Sequence, residues 1–227
     1  QNTAYNRINS TNLKAKVLSA QLLSKTGKNE KTEKLLLDAV KNWDYNIKGY
    51  AIYSVKELEM GNLKEAFIPL LDSTKTRPIA IEALANSPTK EDMDYLKQLA
   101  SSEKVVSKDI LNGFLESTNP ESVKYWLELV SSREIPEKYY FNTLRKPLLF
   151  SDELLNDVQT TLKMTKHLTI QKTLIKVLEG REDSVSEEIL LNYMDNEDSS
   201  VRYWSVDALK NTKSKIVIEK LIKLLKK

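Results

Sequence analysis

The chain has 227 residues, 41% of them hydrophobic and 30% charged, with five Gly, six Pro and no Cys. Such a composition is globular and helix-prone, and it excludes disulfides, thiol chemistry and cysteine metal sites. The 35 basic and 32 acidic residues leave a net charge of +3 spread along the chain, which excludes a block built to bind polyanions.

The chain opens on Gln1 and the polar run QNTAYN. That start slightly favours an exported bacterial chain in the periplasm or cell envelope, a lipoprotein included, over a cytoplasmic one. No uncharged run is long enough for a transmembrane helix.

The elements follow one pattern. Leucines just ahead of a turn signal mark helix ends at Leu23, Leu58, Leu84, Leu115, Leu149, Leu178 and Leu209, spaced 26 to 35 residues apart. Gly27, Gly61, Ser87-Pro88, Asn119-Pro120, Ser151-Asp152, Gly180 and Ser214 follow them as stop and start residues. A second leucine comes twelve residues later at Leu35, Leu70, Leu96, Leu127, Leu190 and Leu221, and thirteen later at Leu162. The pattern predicts an all-α chain of about fourteen short antiparallel helices in one domain, wound as a right-handed superhelix. Residues 10–27 form an N-terminal capping helix, 28–212 six two-helix repeats, and 213–227 a C-terminal capping helix with a polar outer face. Neither helix of a pair can bury its apolar stripe alone, so stacking supplies the core.

Within that register, Ala80 and Ala83 are small inward residues that let neighbouring helices approach. Val201, Trp204, Ser205, Ala208 and Leu209 form the equivalent stripe near the C-terminus. Pro136 opens a helix, and Pro147 bends it near its end. The bend offers Tyr139, Tyr140 and Phe141 as partner contacts, with Tyr203 a further one. The C-terminal KSKIVIEKLIKLLKK continues the leucine register and reads as a cap, not a membrane-surface helix.

Two stretches, IPLLDSTKTRPIAIEALANS and LLNYMDNEDSSVRYWSVDALKN, resemble HEAT repeats. In that family a first helix, often kinked by Pro, ends in Asp, and a second opens on a hydrophobic residue and Arg and closes on Ala-Leu. The resemblance assigns the motif to Asp72 and Arg77, and to Asp195 and Arg202, with Pro69 as the kink. Ala51, Lys108, Asn142 and Gln171 stand at the Arg position in the other units. The family implies an α-solenoid scaffold that binds a protein or peptide on a concave face lined by its second helices.

Catalytic chemistry finds little footing. His167 is the single histidine, and it reads as a surface residue at a helix start. Asp92/Asp94, Glu187/Glu188 and the group Asp195, Glu197 and Asp198 lie at helix starts and loops, where they complement the helix dipole. The loop at 195–198 lacks the glycine of a calcium site. Two rows on the second helices test nucleic-acid binding: Lys56, Glu82, Gly113, Pro147, Lys176, Asp207, and Glu59, Ala85, Glu116, Phe150, Glu179, Lys210. Neither is a basic stripe, so nucleic acid is disfavoured.

The expectation is a monomeric, non-enzymatic scaffold with no cofactor and no metal. Two other readings follow from resemblance. VRYWSVDAL is similar to repeats that follow some bacterial sulfatase domains, and the upstream units to helical tails of zinc aminopeptidases, which would make the chain a module of a larger enzyme. A HEAT-type DNA glycosylase is the other.

Overall fold

The computed structural model describes residues 2–139, 152–181 and 183–224. Among them are fourteen α-helices, two short 3-10 turns and no strand. In order these are α1 (Asn2–Arg7), α2 (Leu13–Lys25), α3 (Glu30–Asn42), α4 (Tyr45–Glu57), α5 (Lys64–Phe67), α6 (Arg77–Ala85), α7 (Lys90–Ser102) and α8 (Lys108–Leu115). Then come α9 (Pro120–Ser132), α10 (Leu155–Met164), α11 (Leu168–Val177), α12 (Ser184–Tyr193), α13 (Ser199–Ala208) and α14 (Lys215–Leu224). The chain forms two compact units, residues 1–122 and 123–227.

Helix limits sit where short polar side chains satisfy free backbone N–H groups. Asn12, Asn29, Asp44, Asp183 and Asp198 each cap a helix, accepting from the N–H two or three residues on. Four of the seven anchor leucines close helices as expected: Leu58, Leu178 and Leu209 are C-cap residues and Leu115 is the last residue of α8. Leu23 and Leu84 fall two residues and one residue before the ends of α2 and α6, and Leu149 lies outside the described residues. Pro69 breaks its helix: α5 gives way to a 3-10 turn over Ile68–Leu70.

In the first unit, α2, α4, α6 and α8 pack in sequence as one row, and α3, α5 and α7 as a second row behind it. In the second unit α11 packs on α13 and α10 on α12, with α10–α11 and α12–α13 joining the two rows. The small residues do the work the sequence assigned them. Ala80 and Ala83 are buried, and a β-carbon placed on Gly113 would stand 2.5 Å from Ile81 Cγ2. The α6–α8 approach therefore depends on glycine at that point.

Polar ties link one two-helix unit to the next. Asp92, on α7, is fully buried and accepts from the N–H groups of Leu63 (2.9 Å) and Lys64 (2.8 Å) and from the hydroxyls of Ser87 (2.6 Å) and Thr89 (2.7 Å). It thereby caps α5 from outside that helix. One unit along, Thr118 N–H donates to Asn86 Oδ1 (2.8 Å) and Asn119 Nδ2 to the Ser87 carbonyl (3.0 Å).

Three local expectations change. Over the described residues, Pro136 begins a turn closed by Tyr139 N–H to its carbonyl (2.8 Å), not a helix. Trp204 is half-buried, not inward, because the stripe's centre falls on Val201, Ser205 and Ala208. The helix α14 turns Ile216, Ile218 and Ile222 to solvent where a polar outer face was expected. Pro147 lies outside the described residues.

Candidate functional site

Helix α4 buries Ile47, Ala51, Ile52 and Val55, which leaves Tyr50 and Tyr53 on its outer side, each 46% exposed. An outer helix face is ordinarily the place for Lys and Glu, so two half-exposed rings one turn apart are a departure. Around them lies an open groove of about 730 Å³ across the α2–α4–α6 row. Gln21 of α2 forms one wall, Asn46, Gly49, Tyr50, Tyr53 and Lys56 of α4 the base, and Pro78, Ile79 and Glu82 of α6 the other wall, with Lys75 just ahead of α6.

Its electrostatics are uneven. Lys56 Nζ lies 2.5 Å from Glu82 Oε2 and 6.0 Å from the Tyr53 ring. Lys75 stands over the Tyr45 ring at 5.1 Å and has no carboxylate partner among the described residues. The groove therefore carries one uncompensated positive charge.

The second unit repeats the lysine–acid pairing in the same register. Five residues before the anchor leucine stands Tyr53 in α4 and Trp204 in α13. Two before it stands Lys56 in α4, Glu82 in α6, Lys176 in α11 and Asp207 in α13. Lys172 lies 5.4 Å over the Trp204 ring. Lys176 pairs with Asp207 and, at 3.1 Å, with Glu179; Lys210 pairs with Glu179 at 3.0 Å and with Asp207 at 3.2 Å.

Hydrogen bonds from Lys176 and then Lys210 hold the Asp207 carboxyl below its ordinary range. Burial acts to raise Glu179, and its bonds to Lys210 and Lys176 outweigh that and leave it lowered. Burial likewise opposes the Lys176 charge, and the bonds to Asp207 and Glu179 carry its pKa upward. Lys56 and Lys176 are thus each paired with an acid on the neighbouring second helix.

The residues singled out in the sequence fall in several places. Tyr203 is 66% exposed on α13 and Tyr139 is half-buried in its turn, while Tyr140 and Phe141 lie outside the described residues. The two motif arginines share a role: each reaches back six residues to the turn before its helix. Arg77 Nη1 donates to the Leu71 carbonyl (3.2 Å), and Arg202 Nη1 to those of Asn196 (2.7 Å) and Glu197 (2.8 Å). Arg77 adds Glu103 at 2.6 Å. Asp72 is exposed, and Asp195 lies 2.8 Å from Lys220 of α14. His167 stands at the N-cap position of α11 without a side-chain bond to the helix, half-buried, with Nε2 3.1 Å from the Pro136 carbonyl.

Asp92, weighed above as half of an acid pair, is enclosed by its four donors, and Asp94 is exposed. Among the described residues no cluster of three or more His, Asp or Glu is placed to hold a metal, and no helix is long and apolar enough to cross a membrane.

No protein-family model matches the chain, and no curated protein matches it. Two engineered proteins of the Northeast Structural Genomics Consortium, known from crystal structures, are similar to it. One has 16% identity and a TM-score of 0.36, over 92% of this chain and 94% of its own. The other has 14% identity and a TM-score of 0.37, over 91% of this chain and 66% of its own.

Proposed function

We propose that the chain is a non-catalytic, HEAT-like helical-repeat module that holds a protein or peptide partner on its row of second helices. The observation that carries this reading is the α2–α4–α6 groove, where Tyr50 and Tyr53 stand half-exposed beside paired charges and amides. Rigid aromatic rings give large contact area at low entropic cost, and such residues supply most of the energy in protein interfaces. Nucleic acid fits this row less well. Lys56, Lys176 and Lys210 are bound to Glu82, Asp207 and Glu179, so phosphate would have to displace existing partners.

The test is affinity capture with the tagged chain from its own cells, followed by titration calorimetry with the purified partner. Tyr50→Ala combined with Tyr53→Ala should weaken binding by about 2–4 kcal/mol, the range of an interface anchor. Tyr203→Ala serves as the comparison on α13. Affinity unchanged in the double variant would remove the groove from the interface.

A further inference from the structure

Of the chain's five glycines, Gly49 is the one its own fold does not require. Gly27 and Gly180 adopt positive φ, at 94° and 77°. A β-carbon on Gly61 would come 2.4 Å from Thr89 Cγ2, and one on Gly113 2.5 Å from Ile81 Cγ2. Gly49 lies inside α4 with ordinary helical backbone, and an added β-carbon there meets no atom within 4 Å. A glycine in that position weakens its helix and clears nothing within the chain. What it does clear is the groove, which it lines between Asn46, Tyr50 and Tyr53.

We propose that Gly49 is the crossing point of a bound polypeptide: the groove takes an extended acidic segment whose main chain passes over α4 at Gly49. This rests on the protein-binding reading above. Absence of a side chain is what lets another backbone approach closely. An extended segment has unpaired N–H and C=O groups, and the Gln21 and Asn46 side chains offer both donors and acceptors to meet them. An apolar side chain or a proline ring lies against Tyr50 and Tyr53. The segment's acidic residue meets Lys75, the groove cation without a carboxylate partner among the described residues, while Lys56 stays with Glu82.

The experiment is selection of a phage-displayed random dodecapeptide library on the intact chain, followed by fluorescence anisotropy of the enriched peptides. Acidic sequences with proline or an aromatic residue are expected. Gly49→Ala should weaken them several-fold and Gly49→Leu by more than about tenfold, since a side chain fills the crossing point. Both variants should melt at or above the wild-type temperature, which separates blockage from unfolding. Lys75→Gln should weaken acidic peptides and flatten their salt dependence.

Equal binding by Gly49→Leu and the wild type would overturn the crossing point. If Tyr50→Ala with Tyr53→Ala still lost those peptides, the protein-binding reading would stand without it. Selection that enriches no peptide, or Gly49-sensitive binding to an oligosaccharide array in its place, would overturn the peptide assignment itself.

Discussion

Single residues carry much of the linkage between repeats, and the buried Asp92 is one of them. Replacing it with Ala strands the N–H groups of Leu63 and Lys64 and leaves the Ser87 and Thr89 hydroxyls, 3.0 Å apart, to bond each other. Loss of roughly 2–4 kcal/mol is expected, read from urea unfolding, given the penalty for unsatisfied buried donors. Ser87→Ala, which removes one of the four donors, should lose less. The Lys176, Glu179, Asp207 and Lys210 group sets a pH response. Its carboxyls are lowered in the fold, so their contribution is complete above the unfolded-state pKa near 4 and is lost as pH falls through the folded values. Lys176 and Lys210 are raised, so their share is complete below about pH 10 and is lost as pH rises through the folded values. Urea midpoints for Asp207→Asn should therefore fall less between pH 7 and pH 3 than those of the wild type. An identical acid limb would show the group to be energetically silent.

At the scale of helices, two glycines should respond with opposite sign to the same change. Gly113→Ala forces a β-carbon against the branched Ile81 and should destabilise by about 1–3 kcal/mol despite better helix propensity. Gly49→Ala meets nothing and should stabilise by about 0.5–1 kcal/mol, both measured as urea midpoints. The sequence alone could not have ranked them. Helix ends were legible because leucine, glycine and proline act locally, and Leu58, Leu178 and Leu209 fell where the register placed them. The charged pairs were half legible: Lys56 and Glu82, then Lys176 and Asp207, stand at one register position with opposite signs, yet were read only as a row that is not basic. Clearance at Gly49 was hidden because it depends on what α2 and α6 place across the gap. Trp204 was misjudged since it sits at the edge of its stripe, where one helical step decides between core and surface.

For the molecule as a whole, the pairing of Lys56, Lys176 and Lys210 with acids predicts weak binding to nucleic acid. A labelled DNA duplex titrated with the chain at physiological salt should show no anisotropy change below about 100 μM, the weak end of non-specific binding. Saturation well below that would return the glycosylase-like alternative. The spacing of the polar ties has a different outcome. Asp92 reaches Leu63, Asn86 reaches Thr118, Lys56 reaches Glu82 and Lys176 reaches Asp207 across 26 to 32 residues. Pairings of such short reach along the chain close small loops, so contact order stays low and the barrier to folding is modest. Refolding from urea should therefore be fast for a chain of this length, starting within any adjacent pair of hairpins before the remainder has formed.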